Sequence, residues 1–334
     1  MRVSLHFILY TFQSVRKSFY MKLTIGSRGS KLALWQAHWV RDQLTSAGYE
    51  IEITIIKTTG DKLQAVAPAD PLPASMAQTV AEAGSKGLFI KEIEEALLAR
   101  EIDVAVHSLK DLPTVQPAGL ALAAVPNRED ARDVFIAGNG LTLESLPPGA
   151  RVATSSVRRQ TQLRALRNDL VYVAIRGNLD TRLRKLERGD CEALVLAAAG
   201  VHRLGLSKHI TSYFSFEQMC PAVGQGALGI EIRADDANPR EAVAKLDHLA
   251  THQAVIAERA VLRRLGGGCQ VPIAAHAVVE NGDLQLQGLV ANLDGTKLIY
   301  ARTKGAASGA ETLGAGVAED LLRQGAREIL DTIE

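Results

Sequence analysis

Downstream of residue 21 the chain alternates between two rhythms of apolar residues. Short apolar runs at 23–25, 104–106, 151–153, 171–175 and 193–196 have the length of buried strands, and 51–57 alternates like a half-buried one. Between them, apolar residues recur at helical spacing. Leu32, Trp35 and Trp39 mark a helix over 30–47 that Ser30 caps and Gly48 stops. Further helices are predicted over 89–100, 155–167 and 179–188. The segment 64–85 is rich in Ala, Pro and Gly and reads as a loop. The segment 112–133, with Pro113, Pro117 and Pro126, reads as a connector. Strands that alternate with helices in this way predict parallel sheets covered on both faces. Another buried strand is predicted over 227–232.

The final third changes rhythm. Helices over 239–249 and 253–264 lead into Gly266-Gly267-Gly268-Cys269. Alternating strands come next, broken at Asn281-Gly282 and Asp294-Gly295, both hairpin signals. Helical stretches over 309–323 and 326–333 close the chain. The pattern predicts an α/β fold class followed by a C-terminal α+β domain with an antiparallel sheet.

Composition narrows the picture. At 334 residues the chain exceeds one ordinary core, so two or three domains are expected. A net charge of +1 argues against a general nucleic-acid coat, and 4% aromatic content argues against base-stacking surfaces. No apolar run has the length of a membrane span. Cys191, Cys220 and Cys269 form no CxxC pair and no zinc spacing, so reduced thiols are expected. Residues 1–20 hold five of the fifteen aromatics, three basic residues and no acid. They read as an extension upstream of Met21.

Charge is strongly segregated. Between Arg151 and Asp190 stand nine arginines and Lys185, opposed by Asp169, Asp180, Glu187 and Asp190. Guanidinium forks grip carboxylates or phosphates in a way that lysine cannot. Thr154-Ser155-Ser156 lies at a strand-to-helix turn, where backbone N–H groups favour an anion, and Arg158 and Arg159 come directly after. Arg176-Gly177-Asn178, with Arg182 further on, repeats the design. Any single arginine can equally belong to a solvated helix face. His107-Ser108-Leu109-Lys110-Asp111 follows the strand at 104–106, at the end where open sheets bind ligands. Asp111 there is either a reactive carboxylate or the cap of a turn before Pro113. Cys269 is either an attachment point on a glycine loop or a small buried residue. Gly26-Ser27-Arg28-Gly29-Ser30 is a third strand-to-helix turn, with Arg28 and Ser30 able to meet an anion.

Seven stretches carry a resemblance. They are IGSRGSKLALWQA (25–37), GSKGLFIKEIEEALL (84–98), DVAVHSLKDLPT (103–114), ATSSVRRQ (153–160), IRGNLDTRLRKL (175–186), PAVGQGALGIE (221–231) and GGGCQVPIAAH (266–276). In this order the chain resembles the porphobilinogen deaminase (hydroxymethylbilane synthase) family over about 22–334. The resemblance implies a transferase of tetrapyrrole and heme biosynthesis. It would join four porphobilinogen molecules head to tail with loss of ammonia, then release the linear hydroxymethylbilane with water. It implies a dipyrromethane cofactor in thioether linkage to Cys269 and Asp111 as the catalytic carboxylate. Each pyrrole carries an acetate and a propionate, for which the resemblance assigns Arg28, Arg158, Arg159, Arg176, Arg182 and Arg203. Ser30, Ser108, Lys110, Thr154, Ser156 and Gln225 would add hydrogen bonds or charge, and Phe89 would pack near the incoming pyrrole. Glu82 and Ser85 depart from some relatives in the loop.

The implied architecture has two α/β domains of the type II periplasmic-binding-protein kind around a cleft, and a third domain with a three-stranded antiparallel sheet. The expected division is 21–126 with 227–244, then 127–226, then 245–334. The expected protein is a cytoplasmic monomer with no metal, nucleic-acid or membrane partner. Two other readings are a non-catalytic anion-binding module and a cysteine hydrolase. The first leaves Asp111 and Cys269 without a task, and the second needs a base such as His276 beside Cys269.

Overall fold

The computed structural model describes residues 21–61, 89–266 and 271–333. The expectations for 1–20, for the loop 64–85 with its Glu82 and Ser85, and for Cys269 lie outside these residues. The first part of the chain forms β1 (Lys22–Ser27), α1 (Lys31–Ser46), β2 (Glu50–Ile55), α2 (Lys91–Leu98), β3 (Val104–Ser108) and β4 (Leu120–Ala124). The second forms β5 (Asp133–Ala137), β6 (Arg151–Ala153), α3 (Val157–Leu166), β7 (Val171–Val173), α4 (Leu179–Glu187), β8 (Ala193–Ala197), α5 (Ala198–Arg203) and β9 (Ser212–Tyr213). Then come β10 (Leu228–Arg233), α6 (Ala237–Ala244), α7 (Leu249–Arg264), β11 (Ile273–Glu280), β12 (Asp283–Ala291), β13 (Leu298–Ala306), α8 (Ala310–Arg323) and α9 (Ala326–Asp331).

These strands make two five-stranded sheets of matching design and one of three strands. The first runs β2-β1-β3-β10-β4, the second β7-β6-β8-β5-β9, the third β11-β12-β13. In the first, β1 is parallel to β2 and β3, whereas β10 is antiparallel to β3 and β4. In the second, β6 is parallel to β7 and β8, whereas β5 is antiparallel to β8 and β9. The expectation of wholly parallel sheets is therefore corrected to mixed ones. Helical crossovers deliver the parallel strands, while β5 and β10 arrive from the neighbouring lobe and enter from the opposite end. The connector over 112–133 is also corrected. It contains β4 and ends on the first residue of β5. The run Leu-Ala-Leu-Ala-Ala has no β-branched residue, so only its sheet neighbours make it a strand. The architecture is α/β in two lobes, with a separate antiparallel sheet.

The chain passes from the first lobe to the second after β4 and returns before β10. The two crossings lie side by side. Glu129 N donates to Gly226 O at 3.3 Å, and Arg128 Nε to Gln225 O at 2.8 Å. Gly226 has φ of +87°, and a Cβ there would stand 2.4 Å from Glu129 O. Only glycine meets both conditions. The third unit joins here: Arg128 forms an ion pair with buried Glu258 of α7 at 2.6 Å. Arg259, next on α7, donates to Leu112 O at 3.1 Å, just beyond Asp111. The helix α7 itself packs on the sheet through Ala254, Ala257 and Val261. The β11–β12 turn has Asn281 and Gly282 at φ of +53° and +82°, as a tight two-residue hairpin requires.

Candidate functional site

Ser30, Ser108, Lys110, Asp111, Ser156, Arg158 and Arg159 stand where a strand ends and a helix begins. Ser30 caps α1, accepting from Ala33 N at 3.3 Å, and Ser156 caps α3, accepting from Arg159 N at 3.4 Å. After β3, one 3₁₀ turn carries Leu109, Lys110 and Asp111. Leu109 is buried and anchors the turn, while Asp111 is exposed. After β7, Gly177 takes φ of +109° to start α4, and Arg182 Nε returns to its carbonyl at 2.9 Å.

Two cavities meet at this line of turns. The larger, of about 580 Å³, lies between α1 and α4 and takes in Arg28, Ser30, Phe89 and Ser108. The smaller, of about 280 Å³, takes in Ser156, Arg158 and Gln225 and reaches Leu262, Val271 and Ile273 of the third unit. Lys110, Asp111, Arg159 and Arg182 line both. Arg28 sits over the Phe89 ring at 4.0 Å and pairs with Asp61 at 2.5 Å. Burial pushes the Asp61 carboxyl up, but bonds from Arg28 and Thr58 outweigh it and hold it below the usual range. Ser108 Oγ accepts from Gln36 Nε2 at 2.8 Å. Burial pushes the Lys110 ammonium down, with Arg159 adding to this and Asp111 opposing it. Burial and the neighbouring Arg159 push Arg182 down to about 10.

Arg158 and Arg159 are held differently. Both are buried and both grip Asp133, at 2.8 and 2.7 Å. Gln225 Nε2 donates to the same carboxylate at 3.0 Å and to Ala131 O at 2.7 Å. Burial alone would raise the Asp133 carboxyl; the two guanidinium charges keep it below its ordinary range. Arg158 Nε and Gln225 Oε1, both in the smaller cavity's walls, are buried without a hydrogen-bond partner. A buried donor and a buried acceptor left this way fit a ligand that carries both carboxylate and N–H groups.

Some expected residues stand apart. Thr154 is fully buried and bonds locally, accepting from Ser156 N at 3.3 Å, and does not line either cavity. Arg176 is exposed and also outside both linings. Arg203 donates to Gly226 O at 2.8 Å, and burial pushes it down to about 10. Arg151, Arg167 and Arg188 pair with Glu192, Asp169 and Asp190 near the surface, as a solvated face would. Cys191 and Cys220 are buried, and burial pushes their thiols up to about 11 and 12, as inert cysteines.

The sequence reasoning missed Asp133, Asp61 and Gln36. A lone acid opening the apolar strand Asp-Val-Phe-Ile-Ala was the available sign for Asp133. It also left His107 without a role. This residue lines the larger cavity, and its Nε2 lies 3.2 Å from Glu231 Oε2. Glu231 Oε1 and Glu94 Oε1 are buried without partners, and burial, with Glu231 adding to it, pushes the Glu94 carboxyl up to about 7. His276, the base that a cysteine hydrolase would need, stacks on Phe216 at 3.9 Å, and burial pushes it down to about 4. A base this weak does not activate a thiol near neutrality.

Comparison with known proteins identifies the family. Residues 23–241 match the model of "Porphobilinogen deaminase, dipyromethane cofactor binding domain", and 252–323 match "Porphobilinogen deaminase, C-terminal domain". A porphobilinogen deaminase of Geobacter sulfurreducens is 49% identical over 92% of this chain and 94% of its own. That of Syntrophobacter fumaroxidans is 48% identical over 93% and 97%. Among solved structures, the methionine binding protein MetQ is similar over 71% of this chain and 93% of its own, at 13% identity and a TM-score of 0.42. With two family models matched in sequence order and relatives this similar over nearly their whole length, this chain belongs to the porphobilinogen deaminase family.

Proposed function

We propose that the line where the two cavities meet is the reaction centre, with Asp111 as its catalytic carboxylate. The reaction is that of the family: head-to-tail condensation of porphobilinogen with release of ammonia, then release of the linear tetrapyrrole by water. The observation that carries the assignment is the shared wall of Lys110, Asp111, Arg159 and Arg182. A group in that wall faces a substrate in one cavity and a primer in the other.

Loss of ammonia leaves a cation on the substrate pyrrole. Asp111 stabilises that charge and accepts from the ring N–H. In the larger cavity Arg28, Ser30 and Ser108 hold the incoming acetate and propionate, with Phe89 against the ring. In the smaller one Arg158, Arg159, Arg182 and Ser156 hold the carboxylates of a dipyrromethane tethered through Cys269, and Gln225 Oε1 accepts an N–H. The cofactor supplies a nucleophilic pyrrole carbon as primer. The orphaned Arg158 Nε and Gln225 Oε1 support this fit. Arg176 and Arg203, outside both linings, are the carboxylate-binding assignments with least geometric support. Thr154 shapes the turn. Three folding units, 21–126 with 227–244, 127–226 and 245–334, accord with the three sheets. No helix among the described residues is long and apolar enough to cross a membrane, and the reading is a cytoplasmic monomer that binds no nucleic acid.

Intact-mass spectrometry of the denatured protein tests this. The expected result is excess mass of two linked pyrroles, absent in Cys269→Ser. Active protein of unmodified mass overturns the reading.

A further inference from the structure

Asp180 is out of place in the larger cavity. It and Asp111 are the carboxylates in a lining whose other charges come from arginine and lysine, His107 aside. Asp180 lies in the first turn of α4, where the helix dipole favours an acid. Arg184 stands one turn further on the same helix, at the spacing of a local ion pair. The Asp180 carboxylate nevertheless reaches across the cavity to Lys31 Nζ, at the first position of α1. Arg184 bonds Thr181 Oγ1 at 3.3 Å instead. The ion pair thus joins the two lobes at the larger cavity.

The pair is open to exchange. The Lys31 side chain is 78% exposed and that of Asp180 35%. Exposed pairs of this kind are weak, because water and salt compete for both charges. A carboxylate arriving on a ligand presents Lys31 with the same chemistry that Asp180 does. Once displaced, Asp180 has Arg184 within a helical turn, so no bare charge is left behind.

We propose that Lys31 is an additional site for a pyrrole carboxylate, and that Asp180 occupies it as a built-in competitor. Asp180 thereby sets how readily the larger cavity accepts its anionic substrate. This rests on the reading of that cavity as the substrate's. Steady-state kinetics with porphobilinogen on Asp180→Asn, Lys31→Gln and the double variant tests it. Removing the competitor lowers KM about two- to fivefold, and removing the lysine raises it by a similar factor. Lys31→Gln has a larger effect on KM in the Asp180→Asn background than in the native one, because the lysine there is free. Lys31→Arg restores the native KM. Equal rises of KM in all three variants overturn the proposal and leave the pair a strap between lobes. An unchanged KM in Asp180→Asn overturns it too. Wild-type protein that lacks the dipyrromethane mass rejects the underlying reading instead, so the two failures are distinguishable.

Discussion

In the larger cavity Lys31 and Arg184 rest on weak, exposed contacts. In the smaller one Arg158 and Arg159 are buried and locked onto Asp133 and nearby carbonyls. The difference separates two uses of arginine. Two guanidiniums pinned by one buried carboxylate offer a fixed donor geometry and leave one positive charge uncompensated. A loosely held one offers field and adjusts to its ligand. A tethered group that stays in place suits the first arrangement, and carboxylates that arrive and move on suit the second.

The comparison can be broken first at the shared wall. Asp111→Asn is expected to lower kcat about 10²- to 10⁴-fold while the cofactor mass is kept. Near-native turnover would remove the reason for two cavities meeting there. Next comes the lock. Asp133→Ala leaves two buried cations unpaired and is expected to cost about 3–5 kcal/mol, read from the denaturant midpoint. A cost like that of an exposed pair, under about 1 kcal/mol, would mean that the two sets of arginines are held alike.

Gly226→Ala should destabilise by about 1–3 kcal/mol, since its Cβ meets backbone that has nowhere to go. Thermal unfolding measures this, and a neutral result would show that the crossings are loosely packed. Arg184→Gln is expected to raise KM about two- to fivefold and leave the cofactor mass intact; loss of that mass would place Arg184 with the locked set.

The smallest effect lies beneath the larger cavity's floor. The Glu94 carboxyl titrates near 7 in the fold against 4.5 ordinarily. Between those values the native state holds a proton that the unfolded chain has lost, so stability falls as pH rises through the window. Glu94→Gln should flatten that part of the stability-against-pH profile. A profile unchanged from the native one would show that burial and the neighbouring Glu231 do not raise this carboxyl.

Much of the positioning was legible in the chain. Ser30 and Ser156 are caps because their side chains bond backbone within one turn, which sequence spacing captures. The HSLKD turn is local in the same way. Asp133 was not legible, because its partners stand 25, 26 and 92 positions away and only the packing of α3 against β5 and β8 unites them. Direction of strands failed for a related reason. Alternation of elements reports their order along the chain, whereas β10 belongs to a sheet the chain left a hundred residues earlier. Thr154 shows the converse: a polar residue at the right turn whose hydroxyl is spent on its own backbone.

The paired crossings beside Gly226 work like two pins set on one line of a door. Twisting one lobe across the other would shear Arg128 from Gln225 and Glu129 from Gly226 together. The two lobes are therefore coupled at this place: a substitution that loosens one crossing loosens the other, because the bonds run between them.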